Sequence, residues 1–247
     1  MPSMPFGKKK AGKGKEEAGG RKAGGAEATG SAAIAARAAQ AASAAQTAPE
    51  PSEAEVELGT LRRRVALYRR ILERYREMIE KAETKTVTEL RTLIVPDDPE
   101  VVKLRDEILE AFRPYIYQQH FEAAAHKAYE FVLGEVANEE LPVDYWLEPR
   151  DIIELRSADE MDKAVLLCSL LRSLECESAK VVVESNGERH VFVGFEVGGR
   201  YVLMDPAHKK VVEGVREDVL MRMFGGGRKN VYEFNDKEYD EIVGGEE

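Results

Sequence analysis

Two neighbouring glycines, at positions 198 and 199, separate two short runs of alternating apolar residues and constrain the fold more than any other feature of the chain. Alternation with a period of two is typical of β-strands that bury one face. A two-residue loop of glycines favours a β-hairpin, because glycine accepts the positive φ angles that such a loop needs. The sequence therefore predicts antiparallel strands in which Val197 pairs with Arg200.

The predicted register brings two polar residues of the hairpin together. Counting back from the loop places Phe192 opposite Asp205, and His190 then lies diagonally across from Asp205 on the same face. At that separation the two side chains can share a hydrogen bond. An imidazole oriented by a carboxylate is part of a catalytic triad, so His190 and Asp205 are the first candidate site residues.

The segments around this hairpin predict further elements of an α+β fold. A helix begins near Ser157 and carries its apolar residues through Leu167 to Leu174, and a strand follows from Ala179 to Glu184. A late strand, Val231 to Phe234, is expected to close the sheet. The expected order is helix, strand, His190 strand, Asp205 strand.

This order and three short motifs resemble the transglutaminase-like superfamily, which has a papain-like fold. The motifs are Asp162 to Arg172, Arg189-His190-Val191, and Val202 to Pro206, and the resemblance covers roughly residues 87–236. It implies a core in which an active-site helix packs on an antiparallel sheet. It also implies acyl transfer or amide hydrolysis by a Cys at the helix start, a His matched by His190, and an Asp matched by Asp205.

The nucleophile position of that family is occupied here by a carboxylate. Matching Asp162 and Ala164 to the family's motif puts the nucleophile at position 160, which is Glu. A thiolate at a helix N-terminus is a soft nucleophile with a lowered pKa, and Glu160 is a much poorer one. Cys168 and Cys176 lie at the wrong spacing and are expected to be buried thiols. We therefore expect a catalytically inactive domain whose old cleft binds a peptide or protein partner.

Three interpretations of Glu160 remain open at this point. With Ser157 it fits a capping box at the start of the helix. It can instead face His190 and leave that imidazole between two carboxylates, which would favour the protonated ring. A third hypothesis makes Glu160, His190 and Asp205, together with His208, ligands of a divalent metal, although no spacing requires one. The main prediction includes neither metal nor cofactor.

Two other functions also remain open. One is an amide or isopeptide hydrolase or acyltransferase of the same superfamily, in which His190 and Asp205 work with Glu160 or with a metal. The other is a coiled-coil adaptor whose globular domain only stabilises the fold.

Charge divides the chain into a basic first part and an acidic body. Residues 1–49 carry 8 basic and 3 acidic side chains, whereas residues 86–247 carry 19 basic and 35 acidic ones. Residues 1–50 are rich in Gly, Ala and Lys and are predicted to be a disordered basic tail. Such a tail can contact nucleic acid or another anionic surface, or it can serve solubility alone.

A heptad pattern follows the tail, within residues 51–85. Its apolar residues are spaced alternately three and four apart, the seam of a coiled coil: Leu58, Leu61, Val65, Tyr68, Leu72, Tyr75 and Ile79. Residues 58–79 are therefore expected either to form a homodimer or other coiled coil, or to pack in cis on the transglutaminase-like domain, predicted at residues 86–247.

Cysteine content and hydropathy predict a cytoplasmic protein that makes no membrane contact. Two cysteines in 247 residues indicate no disulfide framework. No apolar run approaches the roughly 20 residues that span a bilayer, and the N-terminus has no signal-peptide apolar region.

Overall fold

The structure, a computed structural model, describes residues 52–184, 190–225 and 230–243. The predictions for residues 1–50 lie outside the described residues. The helices are α1 Glu53–Ala82, α2 Val87–Arg91, α3 Pro99–Leu109, α4 Tyr117–Glu135, α5 Pro149–Leu155, α6 Glu160–Ser173 and α7 Arg216–Phe224, with a 3-10 turn at Glu110–Phe112. The strands are β1 Ala137–Asn138, β2 Ser157–Ala158, β3 Lys180–Glu184, β4 His190–Val197, β5 Arg200–Asp205, β6 Lys210–Gly214, β7 Asn230–Phe234 and β8 Tyr239–Val243.

The chain divides into two compact units at a boundary between Arg74 and Tyr75. In the first unit, the described residues are the N-terminal part of α1. The second unit contains the sheet and all the other helices. None of the helices in the described ranges combines the length and the apolar character needed to cross a membrane.

Six antiparallel strands form the main sheet, in the order β6, β5, β4, β3, β7, β8. Val197 pairs with Arg200, which confirms the predicted hairpin register. The loop glycines have φ angles of 56° and 74°, the left-handed values expected of a two-residue turn. The strands predicted at Ala179 to Glu184 and Val231 to Phe234 are confirmed by β3 and β7, which pair with each other. Strand β8 was not predicted.

Successive strand residues point to opposite sides of the sheet, and each side is covered by a layer of packed residues. One face packs with α6 and the helices before it, through strand residues such as Val193 and Phe195. The other face packs with α7, through Phe192 and Leu203. Helix α6 lies inside the first of these layers and is buried from Met161 to Leu171. The structure is therefore α+β, with a buried helix on an antiparallel sheet, as the sequence predicts.

Candidate functional site

The start of α6 is built by an aspartate cap. Asp159 is the N-cap residue, and its carboxylate accepts a hydrogen bond from the backbone N–H of Asp162 at 2.9 Å. Ser157 lies before the helix in β2, where it pairs in parallel with Ala137 of β1. The predicted capping box between Ser157 and Glu160 is therefore wrong, because the backbone of Ser157 belongs to a strand and the next acid along the chain caps the helix instead. Glu160 is left as the first helical residue.

The Glu160 carboxylate lies beside an imidazole, and that imidazole belongs to His208. Its Nε2 is 3.6 Å from Oε1 of Glu160, and its Nδ1 is 3.3 Å from Oδ2 of Asp205. The first distance is that of an ion pair when the ring is protonated, and it is too long for a hydrogen bond. His208 thus stands between two carboxylates, the arrangement that the sequence interpretation gave to His190.

The turn after β5 explains how His208 reaches the site. Oδ1 of Asp205 accepts hydrogen bonds from the backbone N–H groups of Ala207 and His208, both at 2.9 Å. An Asp that bonds the backbone two and three residues ahead folds the chain back over its own side chain. The Asp205-Pro206 pair is the signal in the sequence for this turn.

A buried tyrosine fixes the other side of this turn. The Tyr129 hydroxyl donates a hydrogen bond to the Asp205 carbonyl oxygen at 2.8 Å. Burial raises the pKa of Tyr129 to about 12, and the nearby charge of Asp205 adds to the effect. The hydroxyl therefore stays protonated at neutral pH and holds Asp205 from helix α4.

His190 is the first residue of β4 and is exposed. Within the described ranges, no hydrogen bond joins its ring to the Asp205 carboxylate. Its charge nevertheless acts on Glu160, as do those of Asp205 and His208. The fold thus brings Glu160, Asp205 and His208 together at the start of α6, where His208 is the ring that contacts both carboxylates.

The environment of Glu160 favours its protonated form. Burial is the largest cause and raises its pKa, His208 and His190 lower it, and the charges of Asp205 and Asp159 raise it. The net result is a raised pKa. A half-buried carboxyl with a raised pKa next to an imidazole can hold or pass a proton.

Lys163 lies one turn further along α6 and is almost completely buried, with 2% of its surface exposed. Its Nζ donates a hydrogen bond to the Val136 carbonyl oxygen at 2.9 Å. Burial lowers the pKa of Lys163, while the charges of Asp205 and Glu160 raise it. In the sequence this lysine is only part of the family motif, whereas in the structure its buried amino group is affected by the charges of both carboxylates.

Both cysteines of the chain are buried away from this cluster. Cys168 lies two turns beyond Glu160, with its Sγ 3.7 Å from the Ala179 carbonyl oxygen, and Cys176 lies in the loop after α6. Burial raises the pKa of both thiols. The expectation of two buried thiols is therefore confirmed.

Among residues 52–184, 190–225 and 230–243, no group of three or more His, Cys, Asp or Glu side chains is arranged to hold a metal ion. The two ring nitrogens of His208, the donor atoms that a metal would need here, already face the carboxylates of Glu160 and Asp205. The arrangement is that of a carboxylate, an imidazole and a second carboxylate in series, which can exchange protons or receive a polar group of a ligand.

Comparison with known proteins gives only distant similarity. No protein family and no curated protein matches the chain. Among solved structures, LapG of Legionella pneumophila is 13% identical, with a TM-score of 0.43 over 59% of this chain and 87% of that one. The calcium-bound form of LapG has a TM-score of 0.37 at 13% identity, covering 57% of this chain and 90% of that one. Similarity at this level does not assign a family, so the transglutaminase-like assignment stays a prediction.

Proposed function

We propose that this chain contains a transglutaminase-like domain that has lost thiol catalysis and binds a peptide or protein at the start of α6. The order of elements supports the family part of the proposal. A buried helix is followed by a strand, a strand that begins at His190 and a strand that ends at Asp205, and His208 just after this last strand lies beside both Asp205 and Glu160.

One observation carries the loss of thiol catalysis. The position that a nucleophilic Cys would take at the helix start holds Glu160, and both cysteines of the chain are fully buried elsewhere. Acyl transfer by a thiolate needs the sulfur within reach of the imidazole. Here the His208 imidazole contacts two carboxylates. The site can therefore orient protons, but it offers no sulfur to attack a carbonyl.

The binding part of the proposal is supported by the accessibility of the cluster. The His208 side chain is 59% exposed and that of Glu160 is 36% exposed, while the Asp205 side chain below them is 10% exposed. An accessible carboxylate and imidazole on a buried, rigid base suit the backbone N–H and C=O groups of an extended peptide.

A second candidate function, amide hydrolysis without a thiol, is favoured by the accessible His208 ring, whose Nδ1 lies 3.3 Å from the Asp205 carboxylate and whose Nε2 lies 3.6 Å from that of Glu160. In that scheme the imidazole removes a proton from water, the resulting hydroxide attacks the amide carbonyl, and the protonated ring returns the proton to the leaving amine. Asp205 would orient the ring.

Two measurements on the full-length protein separate these functions. Hexapeptides selected for binding to the wild-type chain should lose their affinity in Glu160→Ala and His208→Ala, but keep it in Glu213→Ala, a control in β6. Incubation of peptide amides with the wild-type chain should give no turnover. Peptide binding at this site would be contradicted if the selected peptides bound both site variants as tightly as the wild-type chain. Turnover by the wild-type chain that disappears in Glu160→Gln would instead support the hydrolase.

A further inference from the structure

The apolar seam of α1 is exposed along most of its length. The helix spans Glu53–Ala82 without a break and so includes the whole heptad pattern. Leu61 is 48% exposed, Val65 63% and Tyr68 60%. Large side chains exposed in a continuous row, rather than scattered singly, indicate a surface made for a partner.

The spacing of this row specifies a helix as the occupant. Seven apolar residues repeat every 3.5 residues, the repeat of two helices that wind around each other. Neither a lipid surface nor a nucleic acid requires that period. The acidic residues towards both ends of α1, Glu55 and Glu57 before the seam and Glu73 and Glu77 within its second half, also weaken its attraction to an anionic polymer.

The charges beside the seam distinguish between possible partner helices. With Leu58 at heptad position a, Arg62 and Arg69 occupy e positions and Arg64 a g position. These positions face the partner helix and determine which partner pairs. Between residues 62 and 70 the helix carries five arginines and no acidic residue.

A second copy of the chain fits these charges poorly. In a parallel pair, Arg64 of one copy would face Arg69 of the other, and in an antiparallel pair the e-position arginines would face each other. Like charges at such positions oppose pairing. Ile71, which occupies the next g position, offers no charge to offset the repulsion.

We infer that residues 58–74 of α1 bind an amphipathic helix of another protein, whose apolar heptad seam is flanked by acidic residues. The apolar side chains supply the contact area, and Arg62, Arg64 and Arg69 select the acidic flanks. None of these residues belongs to the start of α6, so the inference does not depend on the proposed function.

Two designed peptides test the inference on the full-length chain. Both are four-heptad helices with Ile and Leu along the seam; one has Glu at every e and g position, and the other has Lys. Fluorescence anisotropy of the labelled peptides should show the Glu peptide binding at least about tenfold more tightly at about 50 mM salt, with less preference at about 500 mM.

Charge reversal at matched positions of α1 provides the control. Arg62→Glu with Arg69→Glu changes the e positions and should reverse the peptide preference. Arg63→Glu with Arg70→Glu makes the same change in net charge on the opposite face of the helix, and should leave the preference within about threefold.

Four results would overturn the inference. The first is that neither peptide binds, and the second is that both bind with equal affinity. The third is that the two double variants change the peptide preference equally. The fourth is a dimer in sedimentation experiments that Val65→Asp converts to a monomer. The third result would indicate a general attraction to anions, and the last would make a second copy the occupant.

Discussion

At the scale of single residues, the site depends on the balance of charges at Glu160. Burial and two neighbouring aspartates raise its pKa more than two histidines lower it. The ionised form of Glu160 therefore lowers the stability of the folded chain. Such a loss of stability is common for residues kept for function.

We predict that Glu160→Gln is more stable than the wild-type protein at neutral pH. Between the ordinary and the raised pKa, the folded chain binds more protons than the unfolded chain, so stability falls as the pH rises through that window. The increase in the free energy of unfolding caused by Glu160→Gln should therefore be largest above the raised pKa of Glu160 and should disappear below about pH 4. Urea unfolding at a series of pH values measures it.

Glu100→Gln serves as the control, because Glu100 lies in the first turn of α3 in an exposed position. Removing a negative charge from a helix N-terminus should lower stability slightly, the opposite sign. A Glu160→Gln protein that is less stable than wild type at pH 7, or whose difference does not change with pH, would show that the carboxylate is held by favourable contacts.

The sequence named all four candidate site residues, His208 only in the metal hypothesis, but not their contacts. The contact itself depends on a turn, in which Asp205 bonds to the backbone N–H groups of Ala207 and His208. Asp205-Pro206 signals this turn in the sequence. The hydrogen bond from Tyr129 that holds Asp205 comes from a distant helix, and single-sequence patterns do not contain such a contact.

At the scale of elements, α6 is held at its C-terminal end by a buried ion pair. Arg172 donates to the two carboxylate oxygens of Asp236 at 2.7 and 3.3 Å, and its side chain is 5% exposed. Asp236 lies in the turn between β7 and β8, so this pair ties the helix to the edge of the sheet.

Asp236→Ala should therefore lower the free energy of unfolding by roughly 3 kcal/mol, because it leaves a buried guanidinium without its carboxylate. Glu177→Ala breaks the exposed pair of Lys237 and Glu177 and should cost less than about 1 kcal/mol. Chemical denaturation of both variants measures the difference. Equal losses would mean that the carbonyl oxygens of Cys176 and Glu177 satisfy Arg172 by themselves.

The sequence predicted the hairpin register because two glycines leave little choice of turn. It did not predict β8, which pairs with β7 at the edge of the sheet. Its segment, Tyr239–Val243, carries acidic residues between its apolar ones, so the local pattern is weak and the pairing depends on the strand beside it.

At the scale of the whole molecule, the described part of the second compact unit begins at Tyr75. The start of the transglutaminase-like domain at residue 86 stays a prediction, and the compact unit includes the extra residues 75–85. The extra residues have definite contacts: Glu83 accepts a hydrogen bond from the Trp146 indole at 2.8 Å, and Arg76 donates to the Pro142 carbonyl oxygen at 2.7 Å.

A chain that starts at residue 75 should fold by itself and unfold in one transition. A chain that starts at residue 86 should be about 1–3 kcal/mol less stable, because the buried Trp146 indole loses its acceptor. Urea unfolding followed by tryptophan fluorescence compares them. Equal stability of the two chains would place the boundary at residue 86, as the sequence predicted.

We propose that the start of α6 keeps an imidazole within reach of position 160, although the thiol of the resembled family is absent there. Glu160→Cys tests this proposal directly, through the pH dependence of alkylation by iodoacetamide. Glu100→Cys is the matched control, since it places a thiol near a helix N-terminus without an imidazole, and the wild-type chain should not react because Cys168 and Cys176 are buried.

Burial and two aspartates raise the pKa of an acid at position 160, and His208 is the largest cause that lowers it. We therefore predict that His208→Asn in the Glu160→Cys background raises the thiol pKa by about one unit, whereas His208→Asn in the Glu100→Cys background leaves the thiol pKa unchanged. No effect of His208→Asn on the thiol at position 160, or equal effects at both positions, would contradict this proposal.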